Sequence, residues 1–368
     1  MKCSHSEICS VCSWLEFSPE LQKQKKTESL LLELKKLGIP ARNELEFLPV
    51  ADQALRDRAD LIYTSKGYGF YQKDRRDIFS LQTCPLMSPG LTAFYQEIRK
   101  VSLPIRKGSL RLRVSPQGQR GLWLDFANED IRDLLAEKKV LSQLMDLAFI
   151  EVGQRRKKLS ADFKLIDPEF HPWTRTWALG ALDQEIPLYS VVGGFSQSGD
   201  AANRVLISQL TRYFRQIESS SWLEFGCGNG NLTFALMAVH EKVKALEFDP
   251  LALEGFKLSL KSFPQLEGKV ELLEGDFQRK SVMSFAGFES ILVNPPRSGL
   301  MQFLDPLFEM QAKNRPRNFV YMSCHLDSFL KDSARLKQLN YGLHEISIVD
   351  QFPHSPHFEI LSRWELGT

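Results

Sequence analysis

The chain has no stretch approaching the ~20 consecutive apolar residues that a membrane helix needs, so neither a spanning segment nor a membrane partner is expected. It has no apolar core near a basic N-terminus. The first residues are polar and carry cysteine, and no secretory leader is expected. It has little excess charge: 47 Lys and Arg stand against 45 Asp and Glu, a net +2, so bulk charge marks no nucleic-acid binder. Repeats and low-complexity tracts are missing as well. Cysteine is sparse, six in 368 residues. The expected compartment is therefore the reducing cytoplasm, where clustered cysteines serve metals or catalysis rather than disulfides.

What is present divides the chain. Its length suits about two or three domains at ~150 residues each. Cys3, Cys9 and Cys12 form C-x5-C-x2-C, a spacing suited to a soft metal, and Cys84 in Thr83-Cys84-Pro85-Leu86 is the best candidate for a fourth thiolate. Spacing alone leaves zinc and an iron–sulfur cluster equally open. From Pro19 to Leu37, leucines at three-to-four-residue spacing with lysines opposite predict an amphipathic helix, stopped by Gly38 and Pro40. Residues 45–190 read as an α+β segment of short strands with helices near 90–101, 129–137 and 139–147. Two basic clusters lie here. One is Arg99, Lys100, Arg106, Lys107, Arg111, Arg113 and Arg120, and the other is Arg155, Arg156, Lys157 and Lys158. With Tyr68, Phe70 and Tyr71 interleaved, they predict an RNA-facing surface, because aromatic and guanidinium planes stack on unpaired bases.

From about residue 200 the pattern becomes alternating helix and strand, which predicts a parallel sheet covered by helices on both faces. The expected elements include helix 200–216, strand 220–225, helix 231–240, strand 243–247, strand 288–293, helix 301–314, strand 317–322 and helix 326–338. The first of these strands runs into Gly226-Cys227-Gly228-Asn229-Gly230 ahead of a helix, where glycines let a ligand approach the backbone. G-x-G-x-x-G is not matched. Glu247 ends the next strand, ~20 residues on, where a carboxylate binds ribose hydroxyls, and Asp276 follows the third. Loop and acids together point to S-adenosylmethionine, with Glu224, Gly226 and Gly228 as further candidate contacts.

Strand four ends in Asn294-Pro295-Pro296-Arg297, a stiffened loop with a cation. Just past strand five stands Cys324, at the crevice where α/β sheets bind ligands. A thiol, a methyl donor and a cation favour one reaction. Uracil C5 is too weak a nucleophile to take a methyl directly, but addition of a thiolate to C6 makes it reactive, and a base then removes the C5 proton. The segment Phe352-Pro353-His354-Ser355-Pro356-His357-Phe358-Glu359 supplies candidate bases.

These residues resemble the RNA uridine-C5 methyltransferase family over nearly the whole chain. The likeness rests on LEFGCGNGN (223–231), ILVNPPRSG (291–299), YMSCHLDSFLKD (321–332), DQFPHSPHFE (350–359), Phe195-x-Gln197 and Cys84-Pro85-Leu86. It implies Cys324 as nucleophile, Glu359 as base, Arg297 and His325 as substrate-positioning residues, and Gln197, Glu247, Asn294 and Asp276 as S-adenosylmethionine contacts. It also implies that Cys3, Cys9, Cys12 and Cys84 hold a [4Fe–4S] cluster, as in the branch that modifies 23S ribosomal RNA. The implied fold is α/β, a class I (Rossmann-like) methyltransferase domain with a smaller α+β central domain and an N-terminal iron–sulfur segment. Its expected bounds are 1–20 for the cysteine segment, 21–50 for a helix packing on the catalytic domain, 51–190 for the central RNA-binding domain and 191–368 for the methyltransferase. The expected enzyme acts as a monomer on RNA, with transfer RNA and a non-catalytic iron–sulfur RNA-binding protein as the alternatives. Three positions depart from the family: Gly199 and His325 stand where it usually has Asn, and Gly226 where a bulky residue is common.

Overall fold

The computed structural model describes residues 1–74, 76–179, 183–275 and 285–367. The chain divides into two compact units. One comprises Met1–Glu16, Ala51–Arg175 and Tyr189–Ala201, the other Phe17–Val50, Thr176–Leu188 and Ala202–Thr368.

Helix α1 (Pro19–Lys36) opens the second unit. Ser18 caps it, its hydroxyl accepting from the Leu21 N–H at 3.2 Å, with proline in the first turn where no N–H is needed. Its buried face is Gln22, Lys26, Leu30 and Leu34, an i, i+4 stripe. The lysine-rich side therefore does not lie wholly opposite the leucines, as the periodicity predicts: Lys26 is fully buried, while Leu31 is exposed. Strand β1 (Glu46–Pro49) follows.

The first unit is built on a mixed sheet ordered β4-β3-β2-β5-β6-β7-β8-β9. Its strands are β2 (Arg58–Thr64), β3 (Gly67–Tyr71), β4 (Ile78–Ser80), β5 (Lys107–Val114), β6 (Arg120–Asp125), β7 (Phe149–Val152), β8 (Lys157–Leu159) and β9 (Leu165–Ile166). Helices α2 (Pro89–Ile98), α3 (Asn128–Ala136) and α4 (Lys138–Leu147) contribute Leu91, Phe94, Ile131, Leu134, Leu141 and Leu144 to the core beneath it. The basic clusters are part braced and part exposed: Lys100, Arg106, Lys107, Arg155 and Arg156 are exposed. Arg113 is buried, Arg111 pairs with Asp60, Arg120 with Glu97, Lys157 with Asp167 and Lys158 with Glu169. Strand alternation also turns Tyr68 inward, its hydroxyl donating to the Val101 carbonyl at 2.8 Å, and leaves Tyr71 exposed.

The chain then forms the paired strands β10 (His171–Ala178) and β11 (Gln184–Ser190) and helix α5 (Asp200–Arg215). The rest of the second unit alternates: β12 (Trp222–Phe225), α6 (Asn231–Met237), β13 (Val243–Glu247), α7 (Pro250–Lys261), β14 (Val270–Glu274), β15 (Ser290–Val293), α8 (Asp305–Glu309), β16 (Asn318–Ser323), α9 (Leu326–Gln338), β17 (Tyr341–Asp350) and β18 (Glu359–Leu366). The sheet runs β1-β17-β18-β16-β15-β12-β13-β14. Strands β12 to β16 are parallel, and their short runs WLEF, SILV and NFVYMS are buried throughout, as strands covered on both faces must be. The expected all-parallel sheet is interrupted once: β18 inserts antiparallel between β16 and β17. The expected helix over 301–314 is instead a 3-10 turn at Met301–Leu304, the five-residue α8 and another 3-10 turn at Ala312–Asn314, with Pro306 in the first turn of α8 removing a donor. Among the described residues no helix is long and apolar enough to cross a membrane.

Candidate active site

The parallel register places the chemistry. Phe225, Leu246, Val293 and Tyr321 pair across β13, β12, β15 and β16 in one row. One step beyond the first three stand Gly226, Glu247 and Asn294, at the carboxyl ends where such sheets bind ligands. Gly226, Gly228 and Gly230 have φ of +69°, +58° and +91°, which favours glycine at each. The departure at Gly226 thus follows from the path of the loop. Glu247 braces the loop: one carboxylate oxygen accepts from the Gly228 N–H at 2.8 Å, the other from the N–H groups of Phe248 and Asp249 at 2.8 Å each.

Three observations fit S-adenosylmethionine here. A β-carbon placed on Gly228 would meet no atom within 4 Å, so the loop has an open face. Glu224 is buried beside Thr233, its acidity weakened to a pKa of about 8 by burial, and its Oε2 makes no hydrogen bond among the described residues. Phe248, next to Glu247, is exposed, a flat apolar surface at the end of β13. The sequence reading missed Phe248, although an aromatic directly after a strand-end acid is a visible signal. Asp276 lies outside the described residues.

The antiparallel pairing brings Cys324 and Glu359 together. Met322 faces Leu361 and Ser323 faces Ile360, so the next step brings Cys324 level with Glu359. Cys324 is half-buried and free. Burial and the facing Glu359 carboxylate push its thiol up, while the adjacent Arg297 guanidinium, which hydrogen-bonds it, pulls it down. Glu359 is buried, and burial pushes its pKa up to about 8 against the pull of a 2.6 Å hydrogen bond donated by Gln351 Nε2. A buried carboxyl with its pKa near neutrality is what general-base chemistry requires. Cys227, by contrast, is deeply buried, and burial pushes its thiol far up.

His325 is the residue before α9. Its Nδ1 lies 2.9 Å from Ser328 Oγ, and that hydroxyl donates to the Arg297 carbonyl at 2.5 Å. A serine has one hydroxyl proton, so Nδ1 must be the donor to Ser328. This relay ties the cysteine loop to the Asn-Pro-Pro-Arg loop. Behind it, Asp332 Oδ2 accepts from the Tyr321 hydroxyl and the Leu300 N–H, at 2.7 Å each.

Gln197 belongs to the first unit, on the segment Tyr189–Ala201. The sheet grips this segment. Arg113 Nη1 donates to the carbonyls of Val191 and Val192 at 3.2 Å each, Arg58 Nη1 to Ser196 O at 3.1 Å, and Glu151 accepts from the N–H groups of Val192 and Gly193 at 2.7 and 2.9 Å. Gly199 is confined in turn: a β-carbon there would lie 1.8 Å from the Leu55 carbonyl oxygen, which accounts for the absence of the family's asparagine.

Cys3, Cys9, Cys12 and Cys84 line one small cavity of the same unit, with Phe70, Leu81 and Leu86. Burial pushes the thiols of Cys9, Cys12 and Cys84 up, and their proximity to one another and to Cys3 adds to the rise. Among the described residues no three side chains are already set as a metal site. The donor set still fits a thiophilic group: four free thiols around one apolar cavity.

Strand order, glycine loop and strand-end acid define a class I S-adenosylmethionine-dependent methyltransferase. An uncharacterized RNA methyltransferase of Bdellovibrio bacteriovorus is 38% identical, covering 98% of this chain and 94% of its own length. The chain belongs to the RNA uridine-C5 methyltransferase family. The 23S rRNA (uracil(1939)-C(5))-methyltransferase RlmD of Yersinia enterocolitica is 24% identical, covering 98% of this chain and 80% of that one. The methyltransferase small domain family matches residues 185–309. The crystal structure of Pyrococcus abyssi tRNA (uracil-54, C5)-methyltransferase with S-adenosyl-L-homocysteine shares the fold, with a TM-score of 0.70 at 19% identity over 97% of this chain and 84% of that one.

Proposed function

We propose that this RNA uracil-C5 methyltransferase forms 5-methyluridine in 23S ribosomal RNA, with Cys324 as nucleophile and Glu359 as base. The observation that carries the reading is the half-buried thiol of Cys324 facing the buried Glu359 carboxyl, with Arg297 against the sulfur. When bound, S-adenosylmethionine supplies an electrophilic methyl group. Cys324 Sγ adds to uracil C6, which places electron density on C5 for attack on that methyl. Glu359 then takes the C5 proton, and the C6–S bond breaks to return the thiolate. Arg297 favours the thiolate at the start and at the end, and His325 through Ser328 holds Arg297's loop against it.

Gln197, Glu247, Asn294 and the Gly226–Gly228 turn contact S-adenosylmethionine in this reading, with Phe248 as the face for its adenine and Asp276 as a further contact. Cys3, Cys9, Cys12 and Cys84 hold a [4Fe–4S] cluster, a choice that follows from the family branch rather than from spacing. The unit built on β2 to β9 presents RNA, the protein acts as a monomer, and the cytoplasm is its compartment. Ribosomal RNA is preferred over transfer RNA because the relatives named as 23S rRNA enzymes align along nearly the whole chain.

The test is a 23S rRNA transcript containing 5-fluorouridine, whose C5 fluorine cannot be removed as a proton. Wild type is expected to form a covalent RNA adduct that Cys324→Ala does not form. Binding without an adduct would sink the assignment. Mass-spectrometric mapping of 5-methyluridine in ribosomal and transfer RNA from a strain lacking the gene separates the two RNAs: a residue lost only from transfer RNA overturns the ribosomal choice.

A further inference from the structure

We propose that Gln22 and Lys26 of helix α1 are positioning residues for the proton-abstraction step, holding the loop that aims the base. The inference rests on the assignment of Glu359 as that base. Both side chains are buried, and Lys26 is fully so. A lysine in that position is costly unless its ammonium is completely partnered. Lys26 Nζ reaches Asp350 Oδ1 at 2.6 Å and the Phe352 carbonyl at 3.1 Å. Gln22 Oε1 accepts from the His354 N–H at 2.8 Å, and its Nε2 donates to His354 Nδ1 at 3.2 Å and to the Phe17 carbonyl at 2.9 Å.

These contacts fall on either side of one residue. Asp350 and Phe352 flank Gln351, and Gln351 donates the 2.6 Å hydrogen bond to Glu359. His354, three residues on, is buried with φ of +61°, a backbone state that a non-glycine residue keeps only when its surroundings impose it. Gln22 grips that strained residue at its main chain and its ring. Residues 350–354 are thus clamped at both ends by one helix face, and the clamp fixes the group that orients the base. Neither Gln22 nor Lys26 has a part in binding the thiol's target or the methyl donor in this arrangement. Their removal acts on the step that uses Glu359 and spares the steps that do not.

Fluorinated RNA separates those steps. Adduct formation on a 5-fluorouridine 23S rRNA transcript needs addition and methyl transfer only, whereas turnover on the ordinary transcript also needs the C5 proton removed. Lys26→Met is expected to lower turnover on ordinary transcript about ten- to hundred-fold, the scale of a small misplacement of a reacting group, while its adduct rate stays within about threefold of wild type. Equal losses in both assays, or loss in neither, overturn the proposal. Should Lys26→Met fail to fold, Gln22→Met removes the His354 contacts without changing charge and is read by the same split. Failure of the wild type itself to form an adduct falls on the Cys324 assignment instead, so the two readings fail separately.

Discussion

Gln351→Leu isolates the tuning of the base. Burial alone drives the Glu359 carboxyl upward, and the Gln351 hydrogen bond is what pulls it back to about 8. A hydrogen bond to a charged group is worth ~1.5–3 kcal/mol, and one pKa unit corresponds to ~1.36 kcal/mol. Leucine at 351 therefore raises Glu359 by a further ~1–2 units. The base must be ionised to accept the C5 proton, so turnover rises with pH through its pKa. At about pH 7 the wild-type base is ~10% ionised and the variant's ~0.1–1%, which puts the variant about ten- to hundred-fold down. The deficit should close as pH is raised towards ~9.5. The assay is single-turnover methylation of a 23S rRNA transcript across about pH 6 to about pH 9.5, with adduct formation on fluorinated transcript as the control that bypasses the base. A variant profile with an unmoved midpoint, or a loss equal at every pH, refutes the tuning role of Gln351.

Three further outcomes follow from the same geometry. Glu359→Gln is expected to match wild type in thermal stability near pH 5 and to exceed it near pH 9: folded-state pKa about 8 against an ordinary 4.5 means that stability is fully present below ~4.5 and lost as pH rises through ~8, up to ~5 kcal/mol. Melts across that range check it, and a pH-independent difference counts against the buried carboxyl as the cause. Gly199→Asn, which restores the family's residue, should destabilise by ~1–3 kcal/mol in urea titration because its β-carbon meets the Leu55 carbonyl at 1.8 Å; a neutral result contradicts the confinement. Protein purified without oxygen should carry iron and acid-labile sulfide, both lost in Cys84→Ser; bound zinc, or four thiols with nothing on them, excludes the cluster.

The catalytic unit was legible in the sequence because parallel strands buried on both faces leave continuous apolar runs, and WLEF and SILV are such runs between helical stretches. What pairs Cys324 with Glu359 left no local trace. It depends on β18 inserting antiparallel beside β16, and resemblance rather than periodicity joined the two residues. The pairing of the arginines was hidden for a related reason. Arg111 and Arg120 find their carboxylates 51 and 23 residues away, so the run of basic residues does not show which of them are paired. Lys26 was hidden by composition, although its place in the stripe Gln22, Lys26, Leu30, Leu34 is an i, i+4 signal readable without any structure.

The same burial that makes Glu359 a base also makes it a cost. A carboxyl at the surface would ionise freely and hold the C5 proton poorly. Buried at the start of β18, it holds a proton at neutrality, but the fold must then carry a group that resists ionisation. That explains the concentration of polar bracing around it. Gln351 lowers the cost of the ionised form, Lys26 and Gln22 fix the loop that carries Gln351, and the strained His354 is held by the same helix face. Loosening any one of them lets the loop relax, which lowers strain and weakens the base together. Stabilising substitutions in residues 350–354 that release the φ of His354, such as His354→Gly, are therefore expected to slow turnover even where they leave the melting temperature unchanged or higher. A His354→Gly enzyme with full turnover would show that the loop's geometry is not what the base depends on.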